Sequence, residues 1–162
     1  MAINDSDSAT PSEPDPTQPV AGLNRVLSEI VDVILEVKVA LWRSKRTRGL
    51  HAELDQLLCD LTGWTTSLGD RDLRLGVSPL SFMTSVAGRE RPTLWRGDPT
   101  ASEVCSLVGG LLRDMNNHVA AVAEEQTDDP SRRILADVHL RLERHQQLLA
   151  GLCMPSPSPS AA

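Results

Sequence analysis

Apolar residues return at every third or fourth position through four separate windows of this chain, and that period constrains its fold more than any other feature. The first window runs Leu23, Val26, Leu27, Ile30, Val33, Ile34, Val37 and Leu41, and the second Leu54, Leu57, Leu58, Leu61, Trp64, Leu68 and Leu75. The third carries Val104, Leu107, Val108, Leu111, Leu112, Met115, Val119 and Val122, and the fourth Leu135, Val138, Leu142, Leu149 and Leu152. Steps of three and four stack side chains on one side of a helix, so each window predicts an amphipathic helix with a stripe to bury. Asp72 interrupts the second stripe near its end, and Gly63 and Gly69 weaken that helix without breaking its pattern. Asp129, Pro130 and Ser131 supply start signals for the fourth. No window alternates with period two, so no sheet is expected.

Four such helices predict an all-α bundle, and the connections between them set its topology. SKRTRG and QTDDPS are short, which makes the helices on either side of each antiparallel neighbours. Residues 76–101 contain Gly76, Pro79, Gly88, Pro92, Gly97 and Pro99, and are long enough to travel the length of a bundle. Two hairpins joined by a crossover between the second and third helices form the ferritin-like arrangement. Within the crossover, PLSFMTSV could form a short extra helix with an apolar side. Val31 and Val39 fall off the first stripe, and a second apolar face on one helix points to burial beyond its own bundle, against another copy of the chain.

Both ends differ in composition from the 20–153 bundle. Residues 1–19 are rich in Pro, Ser and acids, and residues 154–162 are Pro/Ser-rich; neither can bury enough apolar surface to offset chain entropy, so both read as disordered tails. Asp5, Asp7, Glu13 and Asp15 hold four of the six net negative charges. The remainder is too small to mark a polyanion binder by charge alone. Cys59, Cys105 and Cys153 lack the close spacings of metal fingers or redox pairs and read as unpaired thiols in a reducing compartment. The opening MAINDSDSAT has neither a basic nor an apolar leader segment, and no apolar run reaches the roughly 20 residues of a membrane span. A cytoplasmic protein is the resulting expectation, with no membrane partner.

The stretch HAELDQLLCDLTGWTTSLGD places His51, Asp55 and Asp70 on what reads as one helix. His51 and Asp55, at i and i+4, could share a metal ion or simply bond each other. Arg43, Lys45, Arg46 and Arg48 form a dense basic cluster in the first interhelical loop, suited to phosphates or to a solvated loop with intersubunit ion pairs. Trp42 lies on an apolar helix face, where an indole is more often core. His118, His139 and His145 have no partner spacing and read as surface or interface residues.

Several of these segments together resemble the Dps family, the DNA-protecting, iron-storing mini-ferritins of starved bacterial cells. The resemblance runs over roughly residues 22–152: LNR at residues 23–25, EVKVALW at 36–42, HAELDQLL from His51, LG at Leu75 and Gly76, DDPSRRIL, and LERH at 142–145. It implies a hollow homo-oligomer, in the family's case a dodecamer, with iron bound between two subunits. The family's ligands are a His before Trp, the His and Asp of His-x-x-x-Asp, and a later Asp and Glu one turn apart. In this chain Leu41 replaces the His before Trp42, and His51 and Asp55 match. Thr66 replaces the later Asp, and Asp70 stands in for the Glu. Leucine donates nothing and a threonine hydroxyl is a poor neutral substitute for carboxylate, so the implied ferroxidase centre is degenerate. The resemblance also puts Trp42 beside the iron site and Asp128 among the acids of an iron-entry pore, where Arg133 would oppose cation entry.

Two function classes follow. One is a Dps-like protein of stress protection and iron sequestration whose ferroxidase centre is weak or inactive, kept as a shell, a mixed-shell partner of a paralogue or a nucleoid component. The other is an active ferroxidase that oxidises ferrous iron and stores ferric mineral, with or without DNA binding through the basic loop. The acidic first tail cannot supply the Lys-rich DNA contacts some Dps proteins use. Deleting residues 1–19 is therefore expected to strengthen any DNA binding in a mobility-shift assay, with a steep salt dependence carried by the basic loop; loss of binding on deletion would contradict this.

Overall fold

The computed structural model describes residues 18–44, 47–77, 95 and 97–153. Residues 1–17 and 154–162 of the two tails, Lys45, Arg46 and the PLSFMTSV segment lie outside these residues, while Gln18 and Pro19, expected in the first tail, open the first helix. Four helices make up the described chain, with no strand among the described residues: α1 Gln18–Arg43, α2 Arg48–Arg74, α3 Ala101–Glu125 and α4 Asp129–Cys153. Each forms where the apolar period predicts it. Thr100 and Glu103 close a capping box at the start of α3, with the Thr100 hydroxyl accepting from the Glu103 amide at 3.2 Å. Asp128 caps α4 by accepting from the Ser131 amide at 2.8 Å. Past the end of α2, Gly76 takes a left-handed φ of 81°, which a side chain would disfavour.

Cross-helix contacts fix the arrangement. Glu29 of α1 meets His118 of α3, and a Cβ on Gly22 would come within 2.9 Å of Val122, so α1 and α3 run antiparallel. Arg71 near the end of α2 meets Asp128, and Glu53 near its start meets His145, so α2 and α4 do likewise. Arg43 at the end of α1 donates to the Gly97 carbonyl just before α3. Thus α2 ends at one end of the bundle and α3 begins at the other. The intervening connection has to span a helix length, roughly 37 Å at 1.5 Å per residue, as expected of two hairpins joined by a crossover.

The stripes meet inside this frame. Leu23, Val26, Ile30 and Val37 from α1, Leu54, Leu57, Leu61 and Leu68 from α2, Val108, Leu112 and Met115 from α3, and Leu135, Val138 and Leu142 from α4 are all fully buried. Burying each contributes about 1.5 to 3 kcal/mol against the entropy of ordering the chain. Some assignments differ. Leu152 is 46% exposed, so the α4 stripe ends at Leu149, and Val39 packs partly on the core instead of standing wholly on a second face. Trp42, expected in the core, is 65% exposed, because the helix turns it outward near Leu35, itself 37% exposed. Cys105 and Cys153 are not unpaired: helix packing brings the second turn of α3 to the last turn of α4, and the two form a disulfide with Cα atoms 6.3 Å apart.

Asp72, the residue that interrupts the α2 stripe, occupies a core position with 2% exposure, and neither carboxylate oxygen has a hydrogen-bond partner among the described residues. Burial pushes its carboxyl up from 3.8 to about 6. The folded chain therefore holds this proton more tightly than the unfolded chain. Stability from Asp72 is present in acid and is lost as pH rises from about 4 through 6, at a cost of about 2 to 3 kcal/mol. Asp72→Asn is expected to raise the urea midpoint at pH 7.5 and leave it nearly unchanged at pH 4. An equal change at both pH values would show that ionisation is not the cause.

Candidate metal centre

The inward stripe of α2 leaves its other side to solvent, and the sequence-predicted ligands lie there. Asp55, Thr66 and Asp70 are exposed and His51 is half-buried at the edge of the same face. Steps of four, fifteen and nineteen residues from His51 all return to within about 100° of it around a helix with 3.6 residues per turn. Along the axis the site is divided. Asp55 and Asp70 are separated by about 22 Å, the rise of fifteen residues. One copy of the chain cannot close both ends around a single ion. Among the described residues no group of three or more His, Cys, Asp or Glu side chains converges to hold a metal.

The His51 end carries the finer geometry. Ser44, buried in the turn between α1 and α2, donates its hydroxyl proton to the Leu41 carbonyl at 3.1 Å. Its oxygen lies 3.3 Å from His51 Nδ1. With the serine proton already engaged, that contact is satisfied by Nδ1–H donating to Ser44 Oγ, which leaves the lone pair on Nε2. In this tautomer Nε2 is the nitrogen open to a metal, and a metal-binding histidine is commonly held through its other nitrogen. The same two bonds bring the backbone of position 41 beside the ring. Sequence reasoning missed Ser44, because no motif links a turn serine to a histidine seven residues on. The Leu41 side chain packs against the core. At the far end, the Thr66 hydroxyl lies 3.4 Å from the Thr62 carbonyl of its own helix.

Other predicted residues fall elsewhere. Arg43 and Arg48 are exposed at the α1–α2 end of the bundle, while their neighbours Lys45 and Arg46 lie outside the described residues. Asp128 is tied into the fold: Arg71 Nη2 donates to it at 2.7 Å and Arg71 Nε donates to Ser131 Oγ at 3.0 Å. Partial burial would raise the Asp128 carboxyl, but the Ser131 amide and hydroxyl and the Arg71 guanidinium outweigh it and hold it below the usual carboxylate range. Arg133 is exposed on α4.

His145 is no surface residue. It is 3% exposed between α2 and α4, with Nδ1 2.5 Å from Glu53 and Nε2 3.0 Å from Asp60. The two carboxylates lie on opposite ring nitrogens, so they clamp the imidazole and do not converge on a common ion. His118 makes a comparable bond to Glu29 at 2.5 Å across α1 and α3, while His139 pairs with Glu143 along α4 at 3.6 Å.

Helix order, crossover and antiparallel pairing define a ferritin-like four-helix bundle. No protein-family profile matches the chain, and no curated protein matches it by sequence. Solved structures do. A Dps1 variant from Mycobacterium smegmatis superposes with a TM-score of 0.71 at 17% identity, over 86% of this chain and 99% of that one. Dps92 from Deinococcus radiodurans gives 0.73 at 18% identity, over 88% and 89%. A two-domain protein from Anabaena variabilis, containing DJ-1/ThiJ/PfpI-like and ferritin-like domains, gives 0.62 at 16% identity, with 97% of this chain matching 49% of that one. At identities this low the superpositions establish the fold alone.

The Ser44–His51 contact is directly testable. Nitrogen–proton NMR correlations of the neutral His51 ring are expected to show the Nδ1–H tautomer, and Ser44→Ala is expected to shift it toward Nε2–H. A parent ring already in the Nε2–H form would contradict the assignment.

Proposed function

We propose that this chain is a Dps-like mini-ferritin that sequesters iron in a hollow homo-oligomer and carries a degenerate ferroxidase site between subunits. The observation that supports this reading best is the outward face of α2. His51 and Asp55 lie at one end and Asp70 at the other. Between the two acids the exposed residues include Cys59, Thr62, Gly63, Thr66 and Ser67, all small. Two antiparallel copies of such a face can approach closely enough for the His51 end of one to meet the Asp70 end of the other, and helix axes come nearest where side chains are small. Leu35 and Trp42, exposed on α1, add apolar surface for a second copy to cover.

Iron is the substrate and cargo in this reading. Each composite site, His51 and Asp55 of one copy with Asp70 of another, offers one imidazole and two carboxylates, which suit ferrous iron but are too few. Leu41 supplies no donor, Thr66 a neutral hydroxyl, and Asp70 a carboxylate one methylene short of glutamate. Among the described residues the interior of the bundle offers no alternative: its buried positions are dominated by leucine and valine, Asp72 stands alone, and His145 has both ring nitrogens engaged by Glu53 and Asp60. A ferritin-like centre within one chain would need Glu and Glu-x-x-His residues projecting inward. The Ser44 contact on His51 Nδ1, which leaves Nε2 open, supports residual metal binding over complete loss, and keeps the active ferroxidase as the second reading.

Stopped-flow absorbance at equal iron loading, with peroxide as oxidant, separates the two. The parent protein is expected to oxidise iron slowly. Leu41→His with Thr66→Asp and Asp70→Glu is expected to accelerate it by at least about tenfold, the scale on which even outer-sphere partners alter metal sites, provided light scattering shows the oligomer intact. Rapid oxidation by the parent, abolished by His51→Ala, would identify a working enzyme with an unfamiliar ligand set.

A further inference from the structure

The Cys105–Cys153 disulfide has no part in the α2 face, yet it is not sealed in the core. Cys105 is 5% exposed and Cys153 is half-buried, and both line a cleft of about 290 Å³ between α3 and α4. Gly109, Arg113 and Gln146 line the same cleft. Cys105, Gly109 and Arg113 are spaced four apart and so form one ridge of α3, with Arg113 about 12 Å along the axis from Cys105. Side chains on a helix lean toward its N-terminus, so Arg113 leans back over Gly109 toward the sulfur pair. Gly109 leaves that path clear: nothing lies within 4 Å of where its Cβ would stand. Arg113 forms no ion pair among the described residues, so its charge is available to a ligand.

The geometry points to a thiol–disulfide exchange site whose substrate is a small thiol carrying a carboxylate. The carboxylate pairs with Arg113 while the sulfur reaches the disulfide over Gly109. The incoming thiolate attacks Sγ of Cys153, the less buried of the two residues. As the new S–S bond forms, the Cys105–Cys153 bond breaks, and its electron pair leaves on Cys105 Sγ, which takes a proton from water. A second thiolate then attacks the substrate's sulfur in the mixed disulfide, releasing the Cys153 thiolate and the oxidised substrate disulfide. Two electrons enter the protein and two substrate thiols are oxidised. The state of this bond is thereby set by the surrounding thiol pool, independently of iron.

The test uses the full chain with Cys59→Ser, which removes the exposed free thiol from the count. Reduction of the folded protein is followed by acid-quenched intact mass, with reduced glutathione and with uncharged 2-mercaptoethanol. Arg113→Gln is expected to slow glutathione by about three- to fivefold at low salt, the range of a surface ion pair, and to leave mercaptoethanol unchanged. Gly109→Leu, which fills the cleft without removing a contact, is expected to slow both. Oxidised glutathione is expected to label Cys153 in Cys105→Ser faster than Cys105 in Cys153→Ser. Equal effects of Arg113→Gln on both thiols, or a disulfide reduced only once the protein is unfolded, would overturn the proposal. Faster labelling of Cys105 would overturn the choice of attacked sulfur.

Discussion

Burial of four apolar stripes is the constraint from which the rest of this molecule follows. Once Leu54, Leu57, Leu61 and Leu68 turn inward, the period of the helix leaves Asp55, Thr66 and Asp70 no direction but outward. The candidate ligands are therefore spread along a surface instead of gathered in a core. The same rigidity that places them on one face holds their ends about 22 Å apart. Chemistry at that face is thus a question about a second copy of the chain.

The two hairpins are held in register by polar contacts as well as by leucines. Glu29 and His118 join α1 to α3, and His145 joins α4 to Glu53 and Asp60 of α2. Both links cross between hairpins, where no short loop fixes the relative height of the helices. Donors and acceptors tolerate sliding poorly, because a shift of one turn would leave the buried His145 ring without its partners. Asp72 is the counterexample in the same core. It is buried without a partner among the described residues, and its cost depends on pH.

Much of the fold was legible in the sequence because period and loop length are local properties. Leu23 through Leu41 announced α1, and the Pro- and Gly-bearing span of 76–101 announced a crossover whose ends the structure places at opposite ends of the bundle. The common face of His51, Asp55 and Asp70 was legible for the same reason. What was not legible depends on contacts distant in the chain. Cys105 meets Cys153 across 48 residues, and Glu53 meets His145 across 92. Neither spacing carries a signature without the bundle that brings the helices together. Ser44 escaped notice for a subtler reason: its role rests on a carbonyl in the preceding turn, and so on backbone geometry. Trp42 was misjudged because apolar character alone does not fix which side of a helix an indole occupies near its end.

The measurement that bears most directly on the account is anomalous diffraction from crystals of the intact oligomer soaked in ferrous iron under anaerobic conditions. The expected result is a weakly occupied peak bounded by His51 Nε2 and Asp55 of one copy and by Asp70 of another, with water completing the coordination. Iron held by side chains of a single chain would contradict the account, as would an oligomer in which the outward faces of α2 do not meet.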